Sequence, residues 1–249
     1  MANNQLKKFK IELSRRLNLQ NKDKYFKKIS KNWLNESHKL KYTYNFSWLN
    51  IPIIQYPSDM IGIQEIIMNT KPDLIIETGI AHGGSLVYHA SLLNLLSIID
   101  KKKRKVIGVD IEIRKHNLKR LKKHFLYKDL ILLEGSSLDK IIQNKVKKIS
   151  KKFKKIMVIL DSNHSSNHVF NELNYYSKLV SKGCYCIVYD TIVEFLPKKY
   201  LGQKKWSKGD SPLTAVNSFL KKNKKFICDK QIEKKLIISS AYGGFLKKV

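Results

Sequence analysis

The sequence predicts an α/β protein built on a mostly parallel sheet with a C-terminal antiparallel hairpin and an N-terminal helical arm. The prediction rests on three observations. From residue 73 onward, five short, β-branched apolar runs alternate with segments of helical spacing, the pattern of a parallel sheet covered by helices on both faces. A turn rich in glycine follows the first run, "LIIETGIAHGGSL" (74–86). The second, fourth and fifth runs end in Asp110, Asp161 and Asp190, at the strand ends where such sheets bind ligands.

Taken in order, residues 1 to about 40 space Leu6, Phe9, Leu13 and Leu17, then Tyr25, Phe26, Ile29 and Trp33, as helices do. This is the arm, which covers a site or joins subunits. Residues 42–69 are aromatic and carry Pro52 and Pro57; a helix is expected after Ser58 as its cap, with Asp59 in the first turn. The expected strands are "LIIE" (74–77), "VIGVD" (106–110), "LILLEG" (130–135), "IMVILD" (156–161) and "YCIVYD" (185–190). Helices are expected over 85–98, 114–125, 138–149 and 165–180, with right-handed crossovers. After a long loop (194–212) come a helix, "PLTAVNSFLKKN", and two segments, "KFICDK" and "KLIISSAYGGFL", that pair as the hairpin. The arm and aromatic segment thus occupy 1–60 and the sheet domain 61–249.

A chain of 249 residues and 29.1 kDa suits one large domain. The formal net charge of +29 suggests an anionic partner. Only Arg15, Arg16, Arg104, Arg114 and Arg120 are arginine, however, whereas phosphate and base readers lean on the arginine fork. Lys, Ile and Asn share AT-rich codons, so base composition accounts for much of the excess. No dedicated nucleic-acid partner is expected, although a basic nucleic-acid-binding protein stays open as an alternative. Cys184, Cys186 and Cys228 are an odd count without metal-ligand spacing; "CYC" lies in an apolar strand-like run and reads as two small buried thiols, which suits a reducing cytosol. There is neither an apolar run of ~20 residues nor a signal-peptide core in "MANNQLKKFKIELSRRL", so a cytoplasmic protein without a transmembrane segment is expected.

The glycine turn sets Gly79, Gly83 and Gly84 where backbone and ligand can approach closely, with Ser85 opening the next helix. Its Gly-x3-Gly spacing departs from the Gly-x-Gly-x2-Gly of dinucleotide folds. It suits a cofactor whose amino-acid end lies over the turn, Glu77, Ala81 and His82 meeting an ammonium and a carboxylate. A bare strand-to-helix turn is the plainer reading. Asp110 fits a ribose-binding carboxylate or a helix cap; Ser136 and Ser137 fall where an adenine edge would lie, or make an ordinary turn. "VILDSNHSSNHVFNEL" (158–173) delivers Asp161 and His164, and "IVYDT" delivers Asp190. If their strands are neighbours, two carboxylates converge where Mg²⁺ would accept them, and His164 sits beside them as a general base. Zinc or iron on Asp161, His164 and His168 is the competing reading. The residues between the histidines lack the glutamate of a catalytic zinc helix, and a structural role suits His168 better.

"YNFSWLNIPIIQYPSDM", "KPDLIIETGIAHGGSL", "VIGVDIEIRKHN" and "ILDSNHSSNHVFNELNYYSKLVSKGCYCIVYDT" resemble the cephalosporin hydroxylase and rhamnosyl O-methyltransferase family, over about 42–191. The resemblance implies a Rossmann-like seven-stranded methyltransferase sheet, S-adenosylmethionine as cofactor, a homo-oligomer, and Mg²⁺-assisted O-methylation. It implies that Glu77, Gly79, Gly83 and Asp110 bind the cofactor, that Asp161 and Asp190 hold the metal, and that His164 is the base. Relatives commonly carry an acid before the second aspartate, where this chain has Tyr189. The expected function is methyl transfer to a hydroxyl of a sugar or sugar-containing small molecule, with an RNA methyltransferase as the alternative. Acceptor choice is expected in 42–57 and in the loop 194–212, with Trp206 as part of a lid, unless that loop is a disordered surface excursion.

Overall fold

The computed structural model describes residues 2–249. Helices α1 (Ala2–Lys22) and α2 (Lys24–Lys39) form the arm. Asp23 separates them because its carboxylate accepts the Phe26 amide and caps α2. A hairpin that the aromatic sequence hid, β1 (Phe46–Trp48) with β2 (Ile51–Ile53), follows. Helix α3 (Pro57–Thr70) then starts two residues earlier than expected, on proline at its first position. Ser58 is inside the helix and donates to Ile238 O at 2.6 Å instead of capping.

The remaining elements alternate as expected: β3 (Leu74–Thr78), α4 (Gly84–Asp100), β4 (Lys105–Asp110), α5 (Lys115–Lys122), β5 (Leu130–Glu134), α6 (Lys140–Ser150), β6 (Ile156–Leu160), α7 (Ser166–Tyr176) and β7 (Tyr185–Val188). Helix α8 (Pro212–Lys222), β8 (Phe226–Cys228), α9 (Lys230–Leu236) and β9 (Phe245–Lys248) complete the chain. The expected hairpin forms, β8 pairing antiparallel with β9, but of "KLIISSAYGGFL" only Phe245 and Leu246 belong to the strand. Asp229 caps α9 through the amides of Gln231 and Ile232, so the chain leaves β8 as a helix and only Phe245–Lys248 returns to the sheet.

The seven strands lie in the order β5-β4-β3-β6-β7-β9-β8. The first five are parallel; β9 runs antiparallel to both β7 and β8. The order reverses between β3 and β6, which pair from Leu74↔Ile156 to Thr78↔Leu160. In sheets of this kind the carboxyl ends at such a reversal are where ligands bind. Alternate residues feed two cores. Ile75, Val106, Met157, Ile159 and Ile187 pack toward α3 and α4, whereas Ile76, Ile107, Val158, Leu160 and Cys186 pack toward α6, α7 and α8. Cys184 and Cys186 are buried thiols, as expected.

The arm is held to this body at both of its helices. Asn21 and Gln20 donate their amides to Lys234 O, at 2.9 and 2.8 Å, at the end of α9. Leu34 of α2 packs against the cluster Ile192, Val193, Leu196 and Leu201 that follows β7.

Candidate active site

Each of the five parallel strands delivers a carboxylate to the same edge: Glu77, Asp110, Glu134, Asp161 and Asp190. In a chain of +29 this is a local concentration of acidic groups.

The glycine turn is built from backbone outward. Gly79 has φ +90° and Gly83 φ +88°, both left-handed; Gly84 is already helical. A Cβ at Gly79 would stand 2.0 Å from the carbonyl oxygen of Asp161, so the turn and the end of β6 touch directly. Ala81 also takes a positive φ, +45°. It is held there by Asn117 of α5, a fully buried side chain whose amide donates to Ala81 O at 2.8 Å and whose oxygen lies 3.4 Å from His82 Nδ1. Asn117 escaped sequence reasoning because "RKHNLKRLK" reads as a solvated helix.

Asp110 completes the turn by accepting the amides of Ile80 at 2.7 Å and Ala81 at 3.3 Å through one oxygen, while the other accepts Glu112 N at 3.3 Å. Glu77 and Ser85, expected on the ligand side, are bonded to each other. Glu77 is 1% exposed; Ser85 Oγ donates to its Oε1 at 2.5 Å and His89 Nδ1 lies 3.0 Å from its Oε2. A buried carboxylate needs such partners, so Glu77 supports the turn from behind. Ser136 Oγ accepts Leu138 N at 3.3 Å. Ser137 is buried and its hydroxyl meets His168 Nε2 at 3.2 Å. Both serines shape the loop after β5.

On the other side of the switch point, β6 and β7 are paired neighbours, and one ligand atom each from Asp161, His164 and Asp190 lies within 4.8 Å of the others. His164 Nε2 is 3.2 Å from Asp190 Oδ2. Burial, then the charge of Asp190 and of Glu77, pushes the Asp161 carboxyl well above the usual carboxylate range. This oxygen-rich donor set with one imidazole fits a divalent cation, which would relieve the mutual repulsion of the carboxylates. His168 is not part of this cluster. Tyr189 is 3% exposed and packs in the core on the α4 side, because it is one residue out of phase with Asp190.

The loop after β7 is built, not disordered. Glu194 accepts Gly209 N at 3.2 Å and the Thr214 hydroxyl at 3.1 Å. Asp210 accepts the amide and hydroxyl of Ser166, at 2.7 and 2.6 Å, at the start of α7. These bonds hold Trp206 edge-on to His164, ring centroids 5.2 Å apart, with its indole N–H buried and without a partner. Ser37 Oγ of α2 meets the Tyr56 hydroxyl at 3.0 Å beside this wall. Burial lowers the neighbouring His38, against the opposing pull of Asp190.

The sequence profile described as Rhamnosyl O-methyltransferase/CmcI matches residues 40–249. The chain belongs to this family. Among curated members, a rhamnosyl O-methyltransferase of Mycobacterium tuberculosis (strain H37Rv) is 33% identical over 141 residues, 56% of this chain and 54% of that one. A rhamnosyl O-methyltransferase of Mycobacterium leprae is 30% identical over 146 residues, 58% and 60% of the two chains. The matched segments thus span little more than half the length of these curated relatives. Among solved structures, CmcI without ligand aligns at TM-score 0.55 and 17% identity, covering 83% of this chain and 77% of that one. CmcI with Mg and SAM aligns at 0.54 and 17%, with the same coverage. These members of the Rhamnosyl O-methyltransferase/CmcI family share the fold described above. Among the described residues, no helix is long and apolar enough to cross a membrane.

Proposed function

We propose that this protein transfers a methyl group from S-adenosylmethionine to a hydroxyl of a sugar or sugar-containing small molecule. The single observation that supports it most is the joining of two half-sites: the glycine turn ending on Asp110 packs against the carbonyl of Asp161, whose side chain belongs to the Asp161–His164–Asp190 cluster. The relatives' printed names and the ligands of solved CmcI point the same way.

In this reading the turn of Gly79, Ala81, His82 and Gly83 receives the amino-acid end of the cofactor, and Asp110 takes the ribose hydroxyls in exchange for the turn amides it now holds. The Ser136–Ser137 loop borders the adenine. The sulfonium makes the methyl electrophilic, so the chain's tasks are alignment and removal of one proton. Asp161 and Asp190 would hold Mg²⁺, which supplies a lowered hydroxyl pKa when bound. His164 accepts the proton, with Asp190 orienting its ring from 3.2 Å. Trp206 walls the acceptor side and excludes water.

We also propose a homo-oligomer: Leu6 and Phe9 continue the apolar face of α1 beyond its contact with α9 and remain 53% and 55% exposed. Sedimentation equilibrium tests this, a monomer at micromolar concentration counting against it.

The function is tested by calorimetric titration with S-adenosylhomocysteine, then by mass-spectrometric screening of nucleotide-sugars and glycans for a gain of one methyl. Absence of cofactor binding would defeat the proposal.

A further inference from the structure

Helix α7 starts two residues after His164, and His168, Glu172 and Tyr176 follow at intervals of four, so they share one face of the helix. Glu172 and Tyr176 are fully buried. His168 Nε2 lies 3.2 Å from Ser137 Oγ, 3.3 Å from Ser162 Oγ and 3.5 Å from Glu172 Oε1. Ser162, the neighbour of Asp161, donates its own proton to Glu172 Oε1 at 2.8 Å. Tyr176 donates to Ser137 O at 2.9 Å, and Gln143 donates to the same oxygen at 3.1 Å. One helix face therefore grips both the loop after β5 and the loop after β6.

The chemistry of the imidazole follows from its neighbours. A bare nitrogen at Nε2 would set a lone pair against a carboxylate oxygen, so Nε2 carries its proton and the hydroxyl oxygens of Ser137 and Ser162 accept. The second oxygen of Glu172 is buried without a partner, which deepens the need for a donor on this side of the carboxylate.

We propose that His168 is a positioning residue for methyl transfer: it ties the loop that borders the adenine to the loop that carries Asp161, so that cofactor and acceptor half-sites form one preorganised unit. It touches neither substrate nor reacting atoms. The assignment rests on the cofactor reading above, and the experiment separates the two.

The full chain and its His168→Leu, His168→Gln, Ser137→Ala and Ser162→Ala variants are titrated with S-adenosylhomocysteine by calorimetry, at a temperature where circular dichroism shows each to be folded. His168→Leu, which keeps bulk but loses the donor, is expected to weaken binding roughly five- to tenfold, the worth of one hydrogen bond. His168→Gln, whose amide reaches the same point, is expected to remain within about threefold of the parent. Rescue by Gln is the readout that loss of packing alone would not produce. If His168→Leu does not fold, Ser137→Ala and Ser162→Ala remove the same bond from its other end and are expected to weaken binding by about threefold. A parent that binds while His168→Leu, or both serine variants, bind equally well overturns the inference alone. A parent that fails to bind overturns the cofactor reading and this inference with it.

Discussion

Replacing Gly79 by alanine tests the contact on which the joined site depends. Two costs add. A side chain at φ +90° is strained by about 1–2 kcal/mol. The new Cβ would stand 2.0 Å from Asp161 O, and restoring even a tight contact of about 3 Å moves that backbone by about 1 Å, an overpacking cost of about 1–3 kcal/mol. Gly183→Ala is the matched control, because Gly183 has φ +79° but nothing within 4 Å of the added carbon. Gly183→Ala should therefore cost only the strain, roughly 2–8 °C in melting temperature at 2–4 °C per kcal/mol. Gly79→Ala should cost roughly 4–20 °C and, on the proposed function, should also weaken S-adenosylhomocysteine binding by more than tenfold, since the turn that receives the cofactor is pushed off Asp161 O. Differential scanning calorimetry of the two variants decides the matter. Equal losses in both would show that the turn does not bear on Asp161.

Asp59 is fully buried, bonded to Ser240 through one oxygen and unpartnered at the other, and burial lifts its pKa to about 6. A folded-state pKa above the unfolded one favours the folded protein at low pH. The contribution is complete below about pH 4 and lost as pH rises through about 6, on the order of 3 kcal/mol at most. Urea titrations between pH 4 and 7 should show this slope, and Asp59→Asn should flatten it. Asp161→Asn removes a charge that burial and Asp190 oppose; its melting temperature should equal or exceed the parent's while Mn²⁺ binding, followed by electron paramagnetic resonance, falls by more than tenfold. Burial pushes the thiols of Cys184 and Cys228 up to about 11 and 12 and that of Cys186 up as well. Native protein at pH 8 should thus resist Ellman's reagent while the unfolded chain yields three equivalents.

The parallel core was legible in the sequence because a strand buried on both faces must be apolar throughout, and "LIIE", "VIGVD" and "IMVILD" have no other use. The converging Asp161 and Asp190 were legible for the same reason: a strand that ends in a carboxylate places it at the sheet edge. Partnership was not legible. Glu77 looked available to a ligand, yet Ser85 and His89, eight and twelve residues on, come round on α4 to claim both its oxygens. Asn117 and His168 sat in polar segments, and only tertiary contact reveals that one fixes Ala81 and the other bridges two loops. The β1–β2 hairpin and α9 were lost because three-residue strands and a seven-residue helix give too short a pattern to register.

The charge distribution gains a physical sense once the site is placed. Arg104, one of only five arginines, forms a two-pronged pair with Asp100 at 2.6 Å and donates to Pro72 O, at the amino-terminal edge of the sheet. It is 4% exposed, its guanidinium engaged within the fold. At the opposite edge the five strand-end carboxylates concentrate a quarter of the chain's 20 acidic residues. A sulfonium, an ammonium and a divalent metal are all cations, and a strongly basic protein must exempt its cofactor site from its own field to bind them. On the proposed function, the surface lysines would draw an anionic acceptor, such as a nucleotide-linked sugar, toward that edge from a distance. The two signs act at different ranges: salt screens the long-range pull over about 8–10 Å, whereas the short-range acidic cluster keeps its hold on the cations. Acceptor capture should therefore weaken with ionic strength more steeply than cofactor binding does.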